Sequence, residues 1–169
     1  MPSFGAGGSK LKVDVITTEG RVLGMVGSSG NLADLLNKRA LIPLTEPQAG
    51  PIGGTMAPVN QAEIDPYDTI LVGAAAGSPP VVPASERTEM SRLRDVYDAV
   101  YEAGNIRVSG TIYAMSGHNP MDALDRPVDL AVPIFDVSVT CGGAPVAFAR
   151  DAALIGRPNV KVVSAHRRT

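Results

Sequence analysis

The sequence predicts a mainly β fold with short helices, organised as an internal duplication of two small barrel or β-roll domains. Three observations lead there. Short alternating or apolar runs are divided by Gly, Pro and Asn, the pattern of all-β architectures. Helical patterning is confined to brief stretches. A colinear series of tokens also recurs about ninety residues apart, a period too long for a solenoid unit and suited to a tandem of two copies.

The tokens run in one order through both halves. Val13-Asp14-Val15-Ile16-Thr17-Thr18-Glu19-Gly20 matches Tyr97-Asp98-Ala99-Val100-Tyr101-Glu102-Ala103-Gly104, and Arg21-Val22-Leu23-Gly24 matches Arg107-Val108-Ser109-Gly110. Gly30, Asp34 and Leu36 fall opposite Gly117, Asp122 and Leu124, and Ile42-Pro43-Leu44 falls opposite Val132-Pro133-Ile134. Gly53-Gly54 and Ala57-Pro58-Val59 answer Gly142-Gly143 and Ala144-Pro145-Val146. The offset drifts where Gly, Pro and Asn mark loops, which is where insertions are tolerated.

In the first copy, Leu11, Val13 and Val15 alternate with Lys12 and Asp14, the period of a half-buried strand. Glu19-Gly20 supplies a hairpin turn and Arg21–Val26 the return strand, with Gly24 marking a bulge or a close backbone approach. Asn31 caps a short helix through Lys38 or Arg39 that aligns Leu32, Leu35 and Leu36. Ala40–Thr45 reads as a buried strand that Pro43 demotes to an edge or bulge. From Pro47 to Asn60 the composition is that of a long loop with a short strand near Met56–Val59, and Thr69–Val72 is the copy's last strand.

Gly73–Pro83 is small and proline-rich and reads as a linker. Met90, Leu93, Tyr97 and Val100 fit one helical face, but the repeat places a helix at about Ser85–Asp95 and a strand after it. The second copy continues with a return strand at Ile106–Tyr113, a short helix from Asn119 or Pro120 to Leu124, and strands at Leu130–Val139, Ala144–Ala149, Ala153–Ile155 and Val160–Val163. The resulting division is a flexible arm (1–10), copy one (11–72), linker and helix (73–95), copy two (96–163) and a basic tail (164–169). Pro43 and Pro133 blunt one strand in each copy, whereas Leu11–Val15 and Val160–Val163 carry no breaker. Those terminal strands are expected to pair with each other or with another molecule.

With 44% hydrophobic and 19% charged residues the chain is globular, and 4% aromatics with no Trp leave a core of Val, Leu, Ile and Ala. A net charge of −2 argues against a nucleic-acid partner. One cysteine, Cys141, excludes an internal disulfide, and the N-terminus lacks the charged and apolar regions of a signal peptide, so a cytoplasmic location is expected. No apolar run reaches the roughly 20 residues of a membrane span.

A hairpin with a central Gly, then Gly-x-x-x-Asp-x-Leu, an apolar strand with Pro or Leu ending in an acid, and a terminal apolar strand resembles a small bacterial β-barrel domain of unknown function. Each copy would be one such domain. The chain departs from the pattern in the Pro-rich insertion of copy one and in the shortened segment after Asp125. The resemblance implies a fold and no chemistry.

The residues carry little catalytic signal. Gly5-Ala6-Gly7-Gly8-Ser9-Lys10 has the wrong order and setting for a phosphate loop, and Gly27-Ser28-Ser29-Gly30 lacks the third Gly of a dinucleotide fingerprint. Two His and one Cys offer no structural-zinc spacing, and Asp122, Asp125 and Asp129 are not followed by the Gly and Glu of a calcium loop. No metal or cofactor is expected. The leading expectation is a non-catalytic protein-interaction or scaffold module with a protein partner or a homo-oligomer. A small-molecule sensory domain with a pocket between the copies is the alternative, and an enzyme using Cys141 and His118 is the third reading. The polar contacts expected to matter are the aligned Arg21 and Arg107, which point to solvent or pair with acids across the strands, and the aligned Asp34 and Asp122 of the short helices.

Overall fold

The computed structural model describes residues 10–27, 32–115 and 130–168. The first half runs β1 (Lys10–Thr17), β2 (Arg21–Gly27), α1 (Leu32–Asn37), β3 (Ile42–Pro43), β4 (Thr45–Gly50), β5 (Ala57–Pro58), β6 (Glu63–Ile64) and β7 (Thr69–Ala74). The second runs α2 (Ala84–Leu93), β8 (Arg94–Ala103), β9 (Ile106–Met115), β10 (Ala131–Cys141), β11 (Ala144–Val146), β12 (Ala152–Gly156), a 3-10 turn at Arg157–Asn159, and β13 (Lys161–Arg167). The fold is mainly β with few short helices. Helix followed directly by strand at 84–103 matches the sequence expectation, while the short helix expected near Leu124 lies outside the described residues.

Eleven strands form one sheet in the order β13-β8-β9-β10-β12-β7-β1-β2-β4-β5, with β11 on β10, and β3 and β6 pair separately. The order has two ends, so among the described residues neither half closes into a barrel of its own. The reason lies in the central pair. Every residue of β7 and of β12 is buried, which means that both faces of each strand are apolar and need cover, as in the interior of a larger sheet. Pairing β7 with β12 through Leu71↔Ile155, Val72↔Leu154 and Gly73↔Ala153 satisfies both strands at once. One core then lies on each side: Val13, Val15, Val72 and Leu154 on one, Ile16, Leu71, Ile134 and Ile155 on the other.

The two halves repeat three antiparallel ladders in the same order. β1·β2, β2·β4 and β4·β5 in the first half are answered by β8·β9, β9·β10 and β10·β11 in the second. A bulge recurs with them. Between the pairs Leu23↔Gln48 and Met25↔Thr45, Gly24 alone faces Glu46 and Pro47. Between Ser109↔Ser138 and Thr111↔Phe135, Gly110 alone faces Asp136 and Val137. Both acids are left-handed, with φ of 52° at Glu46 and 53° at Asp136. A Cβ on Gly24 would meet the Leu44 side chain at 2.9 Å, and one on Gly110 would meet the Ile134 side chain at 2.7 Å, so the matched glycines sit against matched neighbours.

The halves differ in what closes them. β1 pairs β7 on its second side, whereas its counterpart β8 pairs β13, and β12 pairs the first part of β10.

Three expectations are corrected here. Within the segment read as loop from Pro47, strand β4 extends to Gly50, because Pro47 falls in the bulge, where β2 asks for no donor, and its carbonyl accepts the Val59 N–H at 3.0 Å. The Gly73–Pro83 stretch is no exposed linker: Gly73 and Ala74 belong to β7, and Val81 and Val82 are buried in the core. The basic end is a paired strand through Arg167, not a solvated tail. Of the terminal strands, β1 is interior and β13 is an edge. Pro133 pairs Leu154 on β12, and the ladder to β9 begins beyond it at Phe135, so its missing donor costs no recorded pair. No helix among the described residues is long and apolar enough to cross a membrane.

Candidate interaction edge

The strand β13 reads Lys161-Val162-Val163-Ser164-Ala165-His166-Arg167, with two β-branched residues and small ones after them. Its start is fixed by Asn159, whose side-chain amide donates to the carbonyls of Tyr67 (2.7 Å) and Thr69 (2.9 Å). Pairing to β8 runs from Lys161↔Glu102 to Arg167↔Tyr97, and the register skips Val163, which stands 43% exposed. The Arg168 N–H donates to the Val96 carbonyl at 2.8 Å and closes the ladder.

Side chains hold the far end of the strand. Arg167 Nη2 donates to Asp95 Oδ1 at 3.1 Å. Arg168 Nη2 donates to the Asp98 carboxylate and, at 3.1 Å, to Thr111 Oγ1. Thr111 Oγ1 in turn donates to Asp136 Oδ2 at 3.0 Å. Asp136 also receives a two-pronged contact from Arg87 of α2, at 2.7 and 3.1 Å, a geometry suited to a planar guanidinium. Arg87 Nε donates to Tyr113 Oη at 3.1 Å and the guanidinium lies 4.8 Å from the Phe135 ring centroid. The hydrogen bond from Arg87 holds the Asp136 carboxyl below its ordinary range, and the same bond raises Arg87. The bond to Asp98 raises Arg168. A chain of contacts thus runs from α2 through the bulge of β10 to the end of β13. Over it lies a cleft of about 310 Å³ whose lining includes Asp98, Val100, Thr111, Asp136, His166 and Arg168.

The two ends of the sheet are unlike. β5 is two residues long and one of them is Pro58. β13 is seven residues long with no proline. Short, proline-bearing edges resist the addition of a further strand; β13 is longer and proline-free, and its bulge at Val163 with Lys161 and Arg167 limits which strand can add to it.

The expected polar contacts separate on inspection. Arg21 makes a two-pronged pair with Asp14 at 2.8 and 2.5 Å, across the hairpin as the sequence allowed. It also donates to the Ala147 carbonyl at 2.6 Å and lies 5.9 Å from the Phe148 ring centroid, so it ties the first half to the second. The aligned Arg107 forms an ion pair with Glu102 at 3.7 Å, with both side chains about half in solvent. Asp34 is exposed in the first turn of α1, and the structure does not bring it to either arginine. Asp122 and His118 lie outside the described residues. Cys141 is half-buried at the end of β10, paired with Ile106 and Ala144. Among the described residues no group of three His, Cys, Asp or Glu is placed to hold a metal ion. Sequence reasoning missed Arg87, Asp98, Asp136 and Arg168. The one signal for them was the acid two positions after Leu44 and after Ile134, the shared acid of the bulge.

No family model, curated protein or solved structure matches the chain.

Proposed function

We propose that the chain is a non-catalytic protein-interaction or scaffold module, built from two copies of one β unit, that receives an extended segment of a protein partner along β13. The observation that carries this reading is the contrast between the ends of the sheet: one is blunted by length and proline, the other presents seven residues beside a braced strand. The charges on β13 favour a partner over a second copy. The bulge at Val163 puts Lys161 on the face of Ser164 and His166 and puts Arg167 on the other face, and β13 holds no acid with which a second copy could answer either charge. A segment with an acidic residue on each of its faces, flanking a small apolar centre, complements Lys161 and Arg167. The three recurring ladders and the shared glycine bulge support the duplication, and with it the resemblance of each copy to the small bacterial barrel domain, here opened and merged into one sheet.

The test is photo-crosslinking in the native cells with p-benzoylphenylalanine at position 163 and, as control, at position 57. A discrete protein adduct from 163, absent from 57 and weakened by Lys161→Glu, is the expected result. An adduct consisting of two copies of the 17.5 kDa chain, or the same products from both positions, overturns it.

A further inference from the structure

The turn of the first hairpin and the turn of the second meet in one cleft of about 440 Å³, a volume within the roughly 300–1,000 Å³ typical of small-ligand sites. Its walls are Thr18–Gly20 and Ala103–Asn105, and Ile52 and Cys141, matched positions in the two halves, both line it. Ile70 and Ile106, both buried, give it an apolar floor. Neither Arg21 nor Arg107 lines it, contrary to the expectation for a pocket between the copies.

The polar groups of this cleft have mostly spent their donors. The backbone N–H groups of Glu19 and Gly20 both donate to Thr17 Oγ1 at 3.1 Å, and that of Thr18 donates to the Asp68 carbonyl at 3.2 Å. The Thr18 hydroxyl donates to the Asp68 carboxylate. Both amide protons of Asn159 are committed to Tyr67 and Thr69, leaving its carbonyl oxygen as what that side chain can offer. What remains at this rim is the Glu19 carboxylate, the Asn105 side-chain amide and carbonyl oxygens, and the described lining holds no Lys, Arg or His. A rim whose charged side chain, among the described lining, is the Glu19 carboxylate, above an isoleucine floor, selects a ligand that carries positive charge, donates hydrogen bonds to that carboxylate and has an apolar body.

We propose that this cleft binds a small organic ammonium ion, with its charged head at Glu19 and its apolar portion on Ile52, Ile70 and Ile106. The site is separate from the β13 edge and does not rest on it.

The test uses the intact chain, with Cys141 as its single thiol and iodoacetamide as the reagent. Phenethylammonium slows labelling of Cys141 saturably, 3-phenylpropionate does not, and neither alters labelling of free glutathione. Glu19→Gln, at an exposed turn, weakens the protection by about fivefold to tenfold, the scale of a partly solvated bond to a charged group. Side-chain amide shifts of Asn105 and Asn159 on titration give a second readout that does not depend on thiol reactivity. Equal protection by the two compounds, insensitivity to Glu19→Gln, or the absence of amide shifts with phenethylammonium overturns the proposal.

Discussion

The half before α2 and the half from α2 onward share a hairpin, a glycine bulge and a left-handed acid, yet they spend their arginines differently. In the first half Arg21 is 15% exposed and its partner Asp14 8%, and the pair reaches across to Ala147. In the second half the aligned Arg107 and its partner Glu102 are 55% and 43% exposed. The same position in the hairpin return serves as an internal tie in one half and a solvated side chain in the other. What distinguishes them is which strands lie alongside: β1 is flanked by β2 and by β7 at the join of the halves, while β8 is flanked by β9 and by the edge strand β13.

Breaking that contrast should give the largest effect. Arg21→Met leaves the Asp14 carboxylate buried without its cation and should cost about 3 kcal/mol. Arg107→Met should stay within about 0.5 kcal/mol of the parent, as exposed pairs do. Urea denaturation midpoints measured side by side decide it, and equal losses would show that Arg21 is not a tie between the halves.

The bulges differ in what crowds them. A methyl on Gly110 would lie 2.5 Å from the Phe135 carbonyl oxygen as well as against Ile134, whereas the nearest atom to one on Gly24 is Leu44 Cβ at 2.9 Å. Both atoms are fixed by the backbone, and the closer contact at Gly110 asks for the larger shift. Gly110→Ala should therefore cost about 2–3 kcal/mol and Gly24→Ala about 1 kcal/mol. Thermal melts of the two variants in the reverse order would mean that the bulges are held by different forces despite their common geometry.

Both bulges were half visible in the sequence, through a glycine inside each return strand, but their acids were not, since a left-handed residue carries no composition signal when it is Glu or Asp. The hairpins were legible because Val13 and Val15 alternate with Asp14 and the turn residues are conspicuous. β4 was hidden by Pro47, which reads as a breaker until the bulge that removes its pairing duty is known. The join through β7 and β12 was hidden for a different reason. A continuous apolar run such as Ile70-Leu71-Val72 says that both faces are covered and does not say by what. The link between Arg87 and Asp136 spans 49 residues and joins a helix to a bulge, a pairing that no local pattern encodes. The full extent of β13 was missed because Ser164 and the charges after it read as a tail, when their partners lie on β8 and β9.

Hydroxyls at matched positions sharpen the comparison further. Thr17 Oγ1 donates to the Gly20 carbonyl at 3.2 Å and accepts from Glu19 and Gly20, so the first turn is closed by one side chain. The aligned Tyr101 is buried with its hydroxyl unpartnered, and burial pushes its ionisation upward. Thr17→Val should cost about 1–2 kcal/mol, while Tyr101→Phe, which removes an unsatisfied buried group, should be neutral or stabilise by up to about 1 kcal/mol. Stability lost on Tyr101→Phe would reveal a partner for that hydroxyl.

The smallest difference concerns the two acids of the bulges. Asp136 is held by Arg87 and Thr111, whereas Glu46 makes no ion pair among the described residues. Since the folded-state value of Asp136 is depressed below the unfolded one, its contribution is complete above the ordinary aspartate value of about 3.9 and fades as pH falls through the depressed value. Its side chain is 55% exposed, and solvent screening limits the contribution to about 0.5 kcal/mol. Asp136→Asn retains a residue that tolerates left-handed backbone, so the comparison isolates the charge. The variant should be less stable than the parent near pH 6, and the gap should close in acid as pH falls through the depressed value. Glu46→Gln should lie within about 0.5 kcal/mol of the parent near pH 6. A gap for Asp136→Asn that persists unchanged into acid would show that Arg87 holds the bulge through packing on Phe135 and Tyr113, and that the acid is incidental to it.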